Sequence, residues 1–443
     1  MHNLTVYQNE IARAVLHSIL YDQGDIFTVE IAHGGGAREL STQIEMLLMS
    51  LHVNDGVTLL KIAPETTENT TARLEGQLRQ SSLHGLWSTH AHTVQLGRSQ
   101  VRFLSPDELT TQAAFGKPRV GLIEVCEAQR IDTDAFKQRI QPIAAASGAT
   151  TVVYGTPWNG ETWFEQLKQH NREREGIDGI RRHFRVTWEQ AAKALPGYAE
   201  EAERERVRLG EDHPSFQTAY ALRPVPAQST FLSHMQQRSL EGLFPRQHAP
   251  APTARTVASV VVTRLAEPSS AVVTIAERTP DETGLDVVEH RWLQSSDGET
   301  LAKRIAKVAG ETWGCEHILI DAHGASSEEK ATLDLGLRRS LDMGATGDSD
   351  RLIWAPQDPA WDSRSALELI AATNRGGIHL YSADGSPEYR ALRRETEAAQ
   401  ASYGLNGLLA IHQPPGQEGF LRGLTLLSGA EQPTEALEPA LAS

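Results

Sequence analysis

A glycine-rich junction between a predicted strand and a predicted helix constrains this chain more than any other stretch. Residues 27–32 are apolar and β-rich, consecutive glycines occupy positions 34 to 36, and an apolar pattern of helical spacing starts at Glu39. Glycines in such a place let successive backbone N–H groups turn toward one anion, and the helix dipole adds positive potential at the same spot. The layout is that of a strand, a phosphate-binding loop and a helix N-terminus.

The charge that normally accompanies such a loop is missing. A nucleotide-binding loop of the form G-x-x-x-x-G-K-[ST] needs a lysine for the β- and γ-phosphates. Here Gly36 closes the loop and Ala37 follows where the lysine is expected. Arg38 lies one residue further on, but arginine and lysine are not interchangeable. The alternative interpretation is a glycine-rich turn between strand and helix that binds no ligand.

Length and charge narrow the class of protein. A chain of 443 residues predicts two domains, and a net charge of −15 argues against broad nonspecific binding to nucleic acid. The only cysteines, Cys126 and Cys315, exclude a disulfide scaffold and a cysteine-rich zinc site. Neither a secretion signal nor an apolar run long enough to span a membrane is visible. We therefore expect an intracellular soluble protein.

Strands alternate with helices along the first half, which predicts an α/β fold with a parallel sheet. The predicted strands cover residues 27–32, 57–63, 101–104, 120–125 and 151–154, and helical patterns cover 8–21, 70–80 and 188–208. A proline-rich connector at 245–253 separates this half from a second α/β half. There, residues 256–263 and 270–277 are expected to pair, and residues 317–321 form a strand that ends on Asp321.

Two strand ends in the first half carry candidate catalytic groups. An Mg²⁺-dependent NTPase places an Asp at the end of an apolar strand to hold the metal, often followed by a Glu that activates water. Here the strand ends in Cys126, a poor Mg²⁺ ligand, and Glu127 remains as the base. Taken alone, Glu127 is better explained as an acid at a helix start, and Thr156 as part of an ordinary Gly-Thr-Pro turn.

The second half holds the carboxylates of a candidate metal site. Two-metal nucleases use acids from separate strands and a helix. Asp321 has the right setting, and Glu418 precedes a predicted apolar helix, but residues 259–265 supply no acid. Solvated carboxylates in turns are the alternative. The seventeen histidines show no H-E-x-x-H spacing, so a histidine metal site has little support.

The order of these short motifs resembles that of the large terminase subunits of tailed bacteriophages. The matching positions are residues 7–8, 29–32, 62–64, 73–75, 103–105, 127–129, 154–157, Trp188, Pro196, Tyr198, 209–211, 213–214, Tyr220, 320–322, Gly324, Asn374, 380–381 and 416–427. The resemblance implies an N-terminal P-loop (ASCE-type) ATPase domain with a parallel sheet over residues 1–225 and a linker over 226–256. It further implies a C-terminal ribonuclease-H-like α/β nuclease domain over 257–430 and a disordered tail over 431–443.

Site residues and partners follow from the same resemblance. It implies that Tyr7 and Gln8 contact adenine and that the phosphates are held by Gly34, Gly35, Gly36, Ala37 and Arg38. It implies that Glu127 is the catalytic glutamate and Thr156 the coupling residue. In the second half it implies that Asp321 and Glu418 bind metal. The implied cofactors are ATP and Mg²⁺. The implied partners are double-stranded DNA, a small terminase subunit, a portal and further copies of the chain in a ring, in the cytoplasm of a bacterial host.

The chain departs from the family in both sites. Ala37 stands at the loop lysine and Cys126 at the Mg²⁺-binding aspartate, while residues 260–264 lack the first-strand acid and 416–419 read Gly-Gln-Glu-Gly in place of Gly-His-Asp-Asp. One hypothesis is an active packaging motor that uses Arg38 or an arginine from a neighbouring subunit. Another is a terminase fold without turnover that binds DNA or a partner, or a prophage remnant. A third is an unrelated α/β protein. The missing ligands favour impaired catalysis.

Overall fold

A computed structural model describes residues 4–64, 71–83, 85–109, 119–265, 268–280, 283–341, 351–404, 407–414 and 419–430, so the predicted tail over 431–443 lies outside the described residues. The first half begins with helix α1 (Val6–Leu20), whose apolar side chains Ile11 and Val15 are buried as the sequence period predicts. Thr5 caps this helix and forms a reciprocal capping box with Gln8. The predicted helix over residues 8–21 therefore lies on α1.

The strands and helices of the first half alternate along the chain. The strands are β1 (Ile26–Ile31), β2 (Thr58–Ile62), β3 (Trp87–His90), β4 (Thr93–Leu96), β5 (Ser99–Leu104), β6 (Val120–Val125), β7 (Thr150–Tyr154) and β8 (His183–Val186). The helices after α1 are α2 (Ala37–Leu51), α3 (Ala72–Gln80), α4 (Thr133–Ala135), α5 (Gln141–Ser147), α6 (Trp163–Asp178), α7 (Trp188–Ala192), α8 (Tyr198–Leu209) and α9 (Pro214–Ala219).

These strands form one eight-stranded sheet in the order β3-β4-β5-β2-β6-β7-β1-β8. The six strands from β5 to β8 in that order are parallel, and only the β3-β4-β5 edge is antiparallel. Strand β7 lies between β1, which leads into the glycine loop, and β6, which leads into Glu127. Because parallel strands end at the same edge, the glycine loop, Glu127 and Thr156 meet there.

The second half is built on a mixed sheet. Its elements are β9 (Gln228–Thr230), α10 (His234–Ser239), β10 (Thr256–Arg264), β11 (Ser269–Arg278), β12 (Leu285–Ser295), α11 (Gly298–Ile305), β13 (His317–Asp321), α12 (Ser327–Ser340), β14 (Leu352–Trp354), α13 (Pro359–Asn374), β15 (Ile378–Leu380), α14 (Pro387–Ala398), β16 (Gln400–Tyr403), β17 (Leu409–His412) and α15 (Phe420–Ala430). The six-stranded sheet has the order β14-β13-β10-β11-β12-β15, and β10, β11 and β12 are antiparallel neighbours.

A small three-stranded sheet, β17-β16-β9, lies where the two halves meet. Strand β9 and helix α10 lie within residues 226–256, the segment predicted as a linker. Trp158, which follows β7, belongs to the core of the second half, and its indole N–H donates to the Gly404 carbonyl at 2.6 Å. Asn159 donates to the Tyr403 carbonyl at 2.7 Å. The two halves are therefore joined by side-chain packing and hydrogen bonds as well as by the connecting chain.

The α/β fold class predicted from the alternation of strands and helices is confirmed. The predicted strands at residues 27–32, 120–125 and 317–321 lie on β1, β6 and β13, and the predicted pair at 256–263 and 270–277 is the antiparallel pair β10 and β11. Across the ranges given above, none of the helices combines the length and apolar character needed to cross a membrane.

Candidate functional site

The glycine loop has a tight backbone that only glycine fits. Gly34 and Gly36 have φ angles of 73° and 87°, a region that side chains with a Cβ rarely adopt. A Cβ on Gly35 would lie 2.7 Å from Ile31 Cγ2 and 2.8 Å from the Ala32 carbonyl oxygen. Helix α2 starts directly after Gly36. The sequence therefore builds a strand–loop–helix junction whose helix N-terminus faces the edge where the strands end.

Side chains from outside the loop fix its carbonyl groups. The Tyr7 hydroxyl donates to the Gly35 carbonyl at 2.7 Å, and the Gln8 amide donates to the Gly36 carbonyl at 2.8 Å. The Tyr198 hydroxyl donates to the His33 carbonyl at 2.6 Å. These three hydrogen bonds hold the loop in one conformation in the absence of a ligand. Tyr7 also lines a cavity of about 200 Å³ beside β8, whereas Gln8 is buried against the loop.

Ala37 and Arg38 are the first residues of α2. The Ala37 methyl group supplies no charge at the position where a phosphate-binding loop carries its lysine. Arg38 is exposed, and its backbone carbonyl accepts the hydroxyl of Thr42 one turn further along the helix. The structure thus brings Tyr7, Gln8 and the glycine loop together, and places Arg38 on the outer surface of the same helix end.

Glu127 and Thr156 come from the ends of neighbouring strands. Glu127 has a left-handed backbone, with φ of 51° and ψ of 47°, which costs a non-glycine residue about 1–2 kcal/mol. Its carboxylate accepts the Arg130 guanidinium at 2.8 Å. Gln129 accepts the backbone N–H of Thr156 at 3.1 Å and so ties the two strand ends together. A strained carboxylate at a sheet edge favours a functional position.

Cys126 does not suit a hard metal ion. Burial raises the pKa of its thiol to about 12, so the sulfur is protonated at neutral pH. Mg²⁺ prefers anionic and neutral oxygen ligands and avoids thiols. With Cys126 at the end of β6 and Arg38 in the position of the loop hydroxyl, the residues at this edge do not fit the Mg²⁺ arrangement of a P-loop NTPase.

A buried polar cluster lies one helical turn below the glycine loop. Lys61 on β2 donates to the Ser41 hydroxyl and to the Glu45 carboxylate of α2, both at 2.8 Å. Ser41 in turn donates to Glu124 at 3.0 Å. The parallel register pairs Lys61 with Glu124 across β2 and β6. A hydroxyl, two carboxylates and one ammonium thus meet in the core, and we call this set the lysine cluster.

The charges of the lysine cluster depend on one another. Burial opposes the charge of Lys61, but the carboxylates of Glu45 and Glu124 outweigh it and raise the Lys61 pKa. Burial, followed by the charge of Glu45, raises the pKa of Glu124 to about 8. At neutral pH we therefore assign Lys61 as charged and Glu124 as protonated. Lys61 and Glu124 interrupt two apolar strand patterns in the sequence, and that signal predicts a cross-strand pair.

In the second half, Asp321 ends β13 and is almost fully buried, with 4% of its surface exposed. Its carboxylate is bound by Arg422 of α15, whose Nε donates to Oδ2 at 2.6 Å. The same guanidinium contacts Asp362 Oδ1 at 2.6 Å through its terminal nitrogen. His323 Nδ1 lies 3.7 Å from Asp321 Oδ1. The predicted metal ligand is therefore already in an ion pair.

The neighbouring strand offers no second acid. The parallel register places Val261 of β10 directly beside Asp321. A Cβ on Gly419, just before α15, would lie 2.8 Å from Val261 Cγ1, so the chain closes over this position. Glu418, the other predicted ligand, lies outside the described residues. Among the described residues, no group of three or more His, Cys, Asp or Glu side chains is arranged to hold a metal ion.

The chain thus has two α/β halves, the first on a mostly parallel sheet and the second on a mixed sheet, in keeping with the predicted α/β fold class. No protein-family model and no curated protein sequence matches the chain. Solved structures do match. The chain is similar to the large terminase from a thermophilic bacteriophage, with 11% identity and a TM-score of 0.62 over 97% of this chain and 98% of that one.

Two nucleotide complexes of the same phage protein are similarly close to the chain. The complex with ADP has 12% identity and a TM-score of 0.59 over 97% of this chain and 99% of that chain. The complex with ATP-γ-S has 12% identity and a TM-score of 0.60 over 96% and 98%. At the level of the fold, the resemblance to large terminase subunits is confirmed over nearly the whole chain.

Proposed function

We propose that this protein acts as a terminase-large-subunit-like protein of viral DNA packaging, with impaired ATPase and nuclease sites. The observation that carries the proposal is that nearly the whole chain has a fold similar to that of a large terminase, while each site lacks some of the charged ligands of the family. In the family, ATP hydrolysis drives translocation of double-stranded DNA, and a metal-dependent nuclease cuts it. The proposed partners are DNA, a small terminase subunit, a portal and other copies of this chain, in the host cytoplasm.

The N-terminal site supports nucleotide binding better than hydrolysis. The glycine loop is fixed by Tyr7, Gln8 and Tyr198, and Gln129 ties Thr156 to the strand end that carries Glu127, the proposed catalytic glutamate. ATP would lie on the loop, and Mg²⁺ would supply positive charge to its phosphates. Ala37 stands in place of the lysine that contacts the phosphates, and Cys126 in place of the aspartate that binds Mg²⁺. Loss of a positioned lysine of this kind raises the barrier to phosphoryl transfer by several kcal/mol.

A second proposal is a catalytically inactive terminase fold that serves as a DNA- or partner-binding module, or persists as a prophage remnant. The paired acids favour it, because Glu127 is bound to Arg130 and Asp321 to Arg422. An arginine that is bound to a carboxylate competes with a metal ion or a water molecule for the carboxylate oxygens. The two proposals differ in whether any ATP turnover remains.

ATPase rates with and without DNA, measured beside an Ala37→Lys/Cys126→Asp double variant, separate the two proposals. We expect the unmodified protein to hydrolyse ATP slowly and the double variant to be at least about 100-fold faster, as befits restored electrostatic stabilisation. Glu127→Gln in each background is the matched control. Slow turnover that disappears with Glu127→Gln supports an impaired motor. Absence of turnover in the unmodified protein supports the binding module, and fast turnover in it contradicts both.

A further inference from the structure

Arg422 is the central residue of a compact charged cluster between α15 and the strand end of β13. Two nitrogens of its guanidinium reach two different carboxylates, Asp321 Oδ2 and Asp362 Oδ1, each at 2.6 Å. The ring of Trp361 lies against the same guanidinium, 5.5 Å from its carbon to the ring centroid. The Arg422 side chain is 20% exposed, so the cluster is largely withdrawn from water.

The geometry of this cluster is that of a bridged carboxylate pair. A divalent cation in a nuclease site joins an acid at a strand end to an acid from another element. Here Asp321 comes from the end of β13 and Asp362 from the first turn of α13, and the joining cation is a guanidinium. Arginine is suited to this because its planar fork presents several donors in fixed directions and stays charged at any working pH.

Among the described residues, the neighbouring strand β10 offers no second acid for a metal pair beside Asp321. Val261, the register partner of Asp321, is apolar, and the backbone at Gly419 packs onto it. A metal ion bound at Asp321 would have to displace the guanidinium and would then face the valine side chain. The residues present therefore do not fit the two-metal site that the fold family implies.

We propose that Arg422 is the resident cation of this site, where it replaces a divalent metal ion between Asp321 and Asp362. This inference rests on the proposed function, in which the nuclease site is impaired, and it names the group that fills that site. It follows that the C-terminal domain reaches its full stability without Mg²⁺ or Mn²⁺. It also follows that removal of Arg422 leaves two uncompensated carboxylates, which then take up a divalent cation.

The test uses the full-length protein. Its Tm is measured in chelator and in Mn²⁺, and the electron paramagnetic resonance signal of free Mn²⁺ measures how much of the ion the protein binds. For the unmodified protein we expect equal Tm values in both buffers and no Mn²⁺ bound. For Arg422→Met we expect the Tm in chelator to fall by roughly 5 °C or more, because a buried pair has lost its cation. Mn²⁺ should restore part of that loss, and Arg422→Met/Asp321→Asn should show no restoration.

The matched control is Arg338→Met, which breaks the partly exposed Arg338–Asp334 pair within α12. We expect little change in its Tm and no response to Mn²⁺. If Arg422→Met fails to fold, Arg422→Lys serves instead. A single ammonium replaces the fork, so its Tm should fall part of the way. An Arg422→Lys variant as stable as the unmodified protein contradicts the bridging role.

A rise in the Tm of the unmodified protein with Mn²⁺ that is lost in Asp321→Asn overturns the inference. This outcome would leave the proposed role in DNA packaging intact and would contradict only the loss of the metal site in its C-terminal domain. Conversely, a protein that hydrolyses no ATP and binds no DNA, yet behaves as expected with Mn²⁺, contradicts the proposed function and leaves the role of Arg422 standing. The two failures are therefore distinguishable.

Discussion

The two sites of this molecule each hold a side-chain cation among carboxylates, but at different depths. In the N-terminal domain Lys61 lies one helical turn below the glycine loop, bound to Ser41 and Glu45. In the C-terminal domain Arg422 lies on the predicted metal ligand itself. The two sites therefore depart from the family in different ways: the first lacks a charged group, and in the second a side-chain cation is bound to the expected metal ligand. The N-terminal site has Ala37 at the position of the loop lysine, while Asp321 of the C-terminal site is paired with the chain's own Arg422.

The largest expected effect tests whether Lys61 stabilises the folded N-terminal domain. Lys61→Met leaves Glu45 and Glu124 without a cation, and we expect a loss of about 3–5 kcal/mol in the free energy of unfolding. Urea unfolding measures the loss. Lys303→Met, which removes an exposed pair with Glu299, is the control and should change the free energy of unfolding little. A loss equal to the control would show that the lysine cluster is not held by its lysine.

The next effect concerns how closely α15 approaches the sheet to bring Arg422 over Asp321. A Cβ on Gly423 would lie 2.8 Å from Thr274 Oγ1 and 3.0 Å from Ser259 Oγ, and both of these residues are fully buried. Gly423→Ala should therefore cost about 1–3 kcal/mol, seen in the thermal unfolding of the full chain. Gly176→Ala in α6 meets nothing within 4 Å and should be neutral or stabilising. Equal outcomes for the two variants would contradict the close approach.

The third effect is a pH dependence of the lysine cluster in the N-terminal domain. The pKa of Glu124 is raised from 4.5 to about 8, so the folded state keeps a proton that the unfolded state releases above pH 4.5. This group's contribution to stability is full below pH 4.5 and is lost as the pH rises to 8, by on the order of 1 kcal/mol per pH unit.

Glu124→Gln removes that proton from both states, so its stability relative to the unmodified protein should improve steadily between about pH 5 and pH 8. Unfolding midpoints at several pH values in this range provide the measurement. Glu299→Gln, a change at an exposed residue of α11, is the control and should give a flat difference. Parallel curves for Glu124→Gln and the unmodified protein would contradict the assignment of a protonated Glu124.

The backbone of both domains was accessible to prediction because it depends on local patterns. Alternating apolar runs and glycine positions indicated β1, β6 and β13 within a residue or so of their observed bounds. The lysine cluster could not be predicted from local patterns, because its hydrogen bonds depend on the register between β2 and β6 and on which face of α2 packs against the sheet. Arg422 appeared as a single charge in an apolar helix. Nothing in the sequence gives its distance from Asp321, which comes from 101 positions earlier in the chain.

The contact between Trp158 and the second half has a mechanical consequence. Thr156 is held by Gln129 at the edge of the N-terminal sheet, and two residues later the Trp158 ring is embedded in the C-terminal core. The intervening backbone is too short to absorb a displacement. The strand end at Thr156 and the carbonyl groups of Tyr403 and Gly404 are thus fixed to one another through this short segment.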